Sequence, residues 1–385
     1  MRTRTIRWGL GIIAAALTWV QAAGQNAPVN ALADYQARLA QYQAARSAYE
    51  AESRAYWDAI AAKRRLRNAK RRDHQPIGVD DYLLAQPPVY TGPQRPIDPQ
   101  APARPPADRV ERPEIPVIAD FLQNAAEQFG FVPKRPANEW EFKQAYAKAA
   151  VAAGLTREQI VGVYAFETGG NGAYDSQAGL VPYRPGARAI SPAIGYNQLL
   201  STNSVSLLAE HGARISAFLA QKARASSGVA KLAMEHKIEA LSKMIAFCRS
   251  VPARWSEHDR LAKTTAGGFG VHAAVLDIDI GPLLQVQKLV DSINFARSKG
   301  YKEPLTPAEL ELMNLTGDGN GFDMVTMPHH LRARVPTANF FQQQGYERNP
   351  VARRTGVVAN LIADIESKMR RGAQADGARE LAAAF

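Results

Sequence analysis

Between position 117 and the C-terminus, apolar residues return every three or four positions, and the period-two alternation of a half-buried strand is scarce. VIADFLQNAAEQFGF, NEWEFKQAYAKAAVAAG, TREQIVGVYAFET, VAKLAMEHKIEALSKMIAFC, PLLQVQKLVDSINFARSKG and VVANLIADIESKMRRGA each present one apolar face. Such stripes are buried by packing helix against helix, so residues 117–385 are expected to form an all-α globular domain. Hydrophobic residues make up 46% of the 385-residue chain, enough for a core of that size. The single cysteine, Cys248, excludes an internal disulfide, and packing has to supply the stability. No HExxH, CxxC or EF-hand pattern occurs, so neither a metal nor another cofactor is expected.

The N-terminal part is built differently. MRTRTIR holds three arginines, an uncharged WGLGIIAAALTWV follows, and VQAAG brings small residues at cleavage-type spacing. This is the pattern of a secretory signal peptide over residues 1–23. The apolar stretch is shorter than the ~20 residues a spanning helix needs, so no stable membrane span is expected after cleavage. The protein is then exported, to the periplasm or elsewhere in the cell envelope. A net charge of +11 favours anionic partners, and export makes these a wall polymer rather than nucleic acid.

Residues 24–85 read as an N-terminal helical segment. Tyr35, Tyr42, Tyr49 and Tyr56 recur every seven residues, beside a second row of Leu32, Leu39 and Ile60 that Arg46 and Ser53 interrupt. A seam over residues 30–72 suits a partner helix or self-association, and equally suits docking on the protein's own body. The run KRRLRNAKRR, residues 63–72, has seven basic residues in ten; it is either simply solvated or a grip for anionic polymer or lipid head groups. Residues 86–116 are proline-rich, which blocks helices and ladders, and read as a semi-extended linker ending near Pro116.

One acid stands out in VYAFETGGNG, residues 163–172. Thr156 and Gln159 form a capping-box pattern that starts a helix, and Gly154 stops the one before it. Ile160, Val163, Tyr164 and Glu167 then fall at i, i+3, i+4 and i+7, so Glu167 continues the buried stripe at the helix end. A carboxyl in apolar surroundings, at the negative end of a helix dipole, holds its proton more tightly, as a general acid at neutral pH must. The glycine-rich sequel lets the chain turn away and leaves space beside the acid.

Further along comes SPAIGYNQLL, residues 191–200. Glu167 with its Thr-Gly-Gly-Asn sequel, and then AIGYNQL, resemble the lytic transglycosylases of the lysozyme-like superfamily, a family with a helix-ending Glu followed by Ser or Thr and a later Gly-x-x-Gln segment. The resemblance covers about 35 residues closely and the rest of the domain only by helical character. It implies a lysozyme-like helical fold and cleavage of the MurNAc-GlcNAc bonds of peptidoglycan. Glu167 matches the catalytic acid, Thr168 the small hydroxyl after it, and Gly195 and Gln198, with Tyr196 between them, the segment that lines the sugar groove. The family works with one acid: the substrate's own acetamido group attacks the anomeric carbon, and a 1,6-anhydro sugar results. Three departures stand out. Asn197 occupies the place of the family's usual methionine, the loop between the motifs is longer, and no AYNAG-like segment supplies its late tyrosine. Tyr346, in NFFQQQGYERNP with Phe340, Phe341, Asn339 and Asn349, is the best substitute, and Tyr346 and Asn349 are the expected sugar contacts there; Tyr164 and Tyr196 are rivals.

Other constellations carry less. GDGNGFD, with Asp318, Asn320 and Asp323, reads as a plain turn rather than a calcium loop. His272, Asp277 and Asp279 read as a loop near the groove or a helix start. Should a second acid take part, Asp175, Asp277 or Asp279 would supply it, and a hydrolytic, muramidase-type outcome would follow. Two non-enzymatic roles stand beside the exported glycan-cleaving enzyme: a peptidoglycan-binding or scaffolding protein with the same fold, and a helical adaptor acting through the tyrosine heptads.

Overall fold

The computed structural model describes residues 29–101, 115–180 and 188–385. The signal-type segment and residues 102–114 of the proline-rich stretch lie outside them. The described residues are helical, as the periodicity requires, and carry isolated β-bridges but no strand. In chain order the helices are α1 (Val29–Arg72), α2 (Ile118–Phe129), α3 (Glu139–Ala152), α4 (Arg157–Thr168), α5 (Ser201–Arg224), α6 (Gly228–Cys248), α7 (Trp255–Thr264) and α8 (Ala266–His272). Then come α9 (Gly281–Ser298), α10 (Pro307–Thr316), α11 (Asp318–Val325), α12 (His329–Arg332), α13 (Gln343–Arg348), α14 (Pro350–Thr355), α15 (Val358–Gly372) and α16 (Asp376–Ala383). None of these helices is by itself long and apolar enough to cross a membrane.

The chain divides into two compact units, one within residues 1–52 and 89–110, the other comprising residues 53–88 and 111–385. The division therefore does not follow the proline-rich segment: residues 53–88 belong with the helical body. In the smaller unit the ring of Tyr90 meets Tyr42 edge-on at 6.3 Å and Tyr49 at 5.4 Å. The proline-rich stretch thus lies against part of the tyrosine row.

The larger unit has three apolar clusters. One gathers α3, α4, α9, α10, α15 and α16 around Phe142, Tyr146, Ile160, Tyr164, Leu312 and Leu361. A second gathers α2 and α5 to α8 around Phe121, Leu208, Leu241, Met244 and Leu276, and it buries the free Cys248. The third seats the end of α1, with Tyr56 and Ile60, on Ala338, Tyr346 and Ala352. Each large side chain buried in this way contributes about 1.5–3 kcal/mol.

Much of the basic run of α1 faces inward, while Arg65 and Arg72 are exposed. Arg67 is fully buried between the rings of Tyr82 and Phe340, at 4.6 and 5.5 Å. Its guanidinium donates to Asp323 Oδ2 at 3.2 Å and to the carbonyls of Asp81 and Asn339 at 2.9 and 3.0 Å. Arg64 donates to Phe341 O at 2.5 Å, Lys70 pairs with Asp81 at 2.7 Å, and Arg71 also pairs with Asp323. The expected solvated or polymer-gripping run is in good part an internal docking device, because GDGNGFD begins α11 and carries the buried Asp323 that these arginines meet. Removing one partner of a buried pair leaves the other charge uncompensated. Arg67→Ala is therefore expected to cost about 3 kcal/mol or more in urea unfolding; a loss below about 1 kcal/mol would contradict this packing.

Candidate active site

α4 starts as its capping box requires: the Thr156 amide donates to Gln159 Oε1 at 2.9 Å, and the Gln159 amide to Thr156 Oγ1 at 3.2 Å. Ile160, Val163 and Tyr164 are fully buried along one stripe, and Glu167 follows one turn later on the same stripe as a half-buried residue. Gly169 ends the helix at φ 67°. At Gly170, φ 82°, any Cβ would lie 2.0 Å from the carbonyl oxygen of Gly372, so only glycine lets the turn close against α15.

The Glu167 carboxyl turns toward α10. Its Oε1 accepts a hydrogen bond from Asn314 Nδ2 at 3.0 Å. Glu311, one turn earlier on α10, is fully buried, and its carboxyl is within hydrogen-bond reach of Glu167; neither of its oxygens receives a well-formed hydrogen bond, although the Asn314 amide that serves Glu167 also lies beside it. Burial pushes the Glu167 carboxyl up to about 7, against the hydrogen bonds of Glu311 and Asn314 and the charge of Lys368. Burial, and then the Glu167 charge beside it, raises Glu311 well above the usual carboxylate range. Glu311 was not singled out from the sequence, although its signal is of the same kind as that of Glu167: Ala308, Glu311, Leu312 and Leu315 share a face at i, i+3, i+4 and i+7.

The GYNQ segment is a tight reversal. Ile194 and Leu199 exchange backbone hydrogen bonds at 3.1 and 3.0 Å, and Ile194 also bridges to Gln177. Gly195 sits at φ 86°, where a Cβ would lie 2.9 Å from Gln285 Oε1. Asn197 is buried and bonded at each side-chain polar atom: its amide nitrogen Nδ2 donates to Gln285 O at 2.9 Å, Oδ1 accepts from the Tyr146 hydroxyl at 2.6 Å, and the backbone N–H donates to Gln285 Oε1 at 2.9 Å. A methionine could make none of the side-chain bonds. Gln198, at φ 44°, turns its Nε2 back onto the carbonyls of Ser176 and Gly195, at 3.0 and 2.8 Å.

Tyr196 joins this turn to α4. It is fully buried, its ring 4.8 Å from that of Tyr164, 5.2 Å from Phe142 and 5.3 Å from Tyr146. Its hydroxyl donates to Glu139, whose carboxyl also accepts from the Tyr174 amide at 3.0 Å and is raised by burial. The Tyr164 hydroxyl donates to Gly172 O, and Thr168 Oγ1 to Tyr164 O, both at 2.7 Å. Both tyrosine hydroxyls and the Thr168 hydroxyl are thus engaged internally.

The remaining candidates lie in other settings. Tyr346 is buried against Trp57 of α1 at 5.6 Å and Phe341 at 6.2 Å. Asn349 caps α14, accepting from the amides of Val351 and Ala352 at 3.0 Å. Their contacts are with α1 and α14 rather than with Glu167. Asp277 accepts the amides of Lys134, Asp279 and Ile280 and the Lys237 ammonium, and Asp279 is held by Lys222 and Lys237. Both are taken up by internal partners, although burial raises Asp277 above its ordinary value; Asp175 pairs with Arg135 at 2.6 Å. His272 is buried between Ser204 Oγ and Pro192 O, and burial lowers it to about 4. Among the described residues, Glu210, His211 and Asp291 bring ligand atoms within 4.8 Å of one another, and His211 Nε2 is already engaged by Asp291 at 3.0 Å.

Compared with family models, curated proteins and solved structures, the chain gives no match in any of the three. Asn197→Met would strand the Tyr146 hydroxyl and take one donor from the Gln285 carbonyl. It is expected to destabilise the protein by roughly 1–3 kcal/mol, read as a lower urea midpoint at unchanged slope.

Proposed function

We propose that this is an exported enzyme with a lysozyme-like domain that cleaves the MurNAc-GlcNAc bonds of peptidoglycan as a lytic transglycosylase. The observation that carries the proposal is the half-buried Glu167 carboxyl at the end of α4, which holds its proton up to about pH 7. Support also comes from the GYNQ reversal, which packs on the same helix through Tyr164 and Tyr196. The net charge of +11 suits an anionic wall.

In this mechanism protonated Glu167 gives its proton to the glycosidic oxygen as the C–O bond breaks. The acetamido oxygen of the MurNAc residue bonds to the anomeric carbon. The Glu167 carboxylate then takes the proton of the C6 hydroxyl, whose oxygen displaces the acetamido group to close the 1,6-anhydro ring. The acid is regenerated and no water is consumed. The reversal at 194–199 would present backbone groups near Gly195 to the sugar, and the Gln198 Oε1 would be its available acceptor. Below about pH 7 Glu167 is the acid the first step needs, and activity is expected to fall as the pH rises through that value.

A non-catalytic wall-binding role is favoured by one observation, the inward-turned amide of Gln198. Incubating purified wall with the protein and analysing the muropeptides separates the two. The enzyme is expected to release anhydro-muropeptides, with Glu167→Gln slower by roughly 100-fold or more. Intact wall with retained binding would instead establish the scaffold, and hydrolytic products would redirect the mechanism to a muramidase.

A further inference from the structure

We propose that Glu311 is held protonated in the folded protein and donates its carboxyl O–H to Glu167, acting as the positioning residue that orients the catalytic carboxyl. The catalytic consequence rests on the glycan-cleaving proposal; the protonation state does not.

The geometry leaves Glu311 little alternative. Its side chain is fully buried on α10, and neither oxygen receives a well-formed hydrogen bond. An ionised carboxylate in that position would have at most the Asn314 amide, which is already given to Glu167, and a buried group so poorly served neutralises instead. The acceptor within reach is the Glu167 carboxyl, and two adjacent carboxyls do not both ionise readily. Glu167 is the better seat for the pair's negative charge. It retains exposure, receives the Asn314 amide at 3.0 Å, and has the charge of Lys368 nearby. The other titratable groups facing the pair are Lys288 of α9 and Tyr146 of α3, of which only the lysine favours ionisation of Glu311. The Glu311 proton therefore lies on the bond to Glu167, and with Asn314 it leaves the Glu167 carboxyl one orientation. When Glu167 gives up its own proton, the Glu311 O–H and the Asn314 N–H both stay as donors to the resulting carboxylate.

The sign of the pH dependence follows. An acid whose native affinity for protons is raised binds more protons in the native than in the unfolded state at any pH above its unfolded value. Its contribution to stability is then full at low pH and is lost as the pH rises. Glutamine at position 311 keeps an N–H donor but cannot titrate.

Difference infrared spectroscopy of the full chain tests the protonation state without reference to activity. At about pH 8 a protonated-carboxyl C=O band is expected in the wild type and in Glu167→Gln, and is expected to vanish in Glu311→Gln. The unfolding constant of the wild type relative to Glu311→Gln is expected to grow with pH, by up to about tenfold per unit above the unfolded value. Absence of the band, or a pH-independent ratio, would overturn the proposal even if wall cleavage is found. Conversely, the band can be present while wall is left intact, which would sink the catalytic proposal alone. Where cleavage is measurable, Glu311→Leu is expected to lower kcat on the order of 10- to 100-fold with KM little changed, and Glu311→Gln to restore most of the loss. Equal loss in both variants would remove the positioning role. If Glu311→Leu does not fold, the infrared band and the Glu311→Gln stability ratio still decide.

Discussion

Asn197, Gln285 and Tyr146 form a buried hydrogen-bond set in the protein interior, and the reversal at 194–199 owes its place to them. Each of these side chains is buried, so each bond is one that water cannot replace. The set ties the turn to α9 and to α3. It also holds Ile194 and Leu199 in one apolar cluster while Tyr196 reaches into the other. The two clusters thereby meet at a polar node, with Tyr174 packed against both. Gly195 is part of the same constraint, since Gln285 occupies the space a side chain would need.

Charge is handled in the same manner. The basic run at the end of α1 looks like a surface feature when counted, but its central guanidinium is stacked between two rings and bonded to an aspartate and two carbonyls. Arginine suits this position because its planar, weakly hydrated fork serves several acceptors at once, where a lysine would offer a single point charge. Asp277 and Asp279 follow the same rule from the acidic side, Asp277 held by Lys237 and three backbone amides and Asp279 by Lys222 and Lys237. Glu167 and Glu311 differ from these, a pair of like groups brought together, one half-buried and one fully buried, where a proton more than a counter-charge must balance them. The proposed acid chemistry at the end of α4 rests on that contrast.

The proposed enzyme would work with a small set of parts: one proton donor, a fixed turn to receive the sugar, and a substrate that supplies its own nucleophile. Internal hydrogen bonds already engage Tyr164, Tyr196 and Thr168, so their part would be to stiffen the site, holding Glu167 and the reversal in fixed relation. Tyr346 belongs to the seat of α1, where Trp57 covers it.

Periodicity and caps are local properties, and what depended on them was legible in the chain itself. The all-α class, the start of α4 at Thr156, its buried stripe and the position of Glu167 at its end all follow from neighbours within a few residues. The surroundings of Tyr346 were not legible, because the rings it meets come from a helix at the other end of the sequence. The partners of Glu167 were hidden for the same reason: Asn314 lies 147 positions away, and no spacing rule connects α4 to α10. An apolar stripe says that a carboxyl will be drawn inward; which group it meets there is chosen by how whole helices pack. The sequence alone therefore determined where the acid sits, and tertiary structure alone decided that it faces a second, fully buried acid, since the partner of a buried polar group is selected by long-range packing.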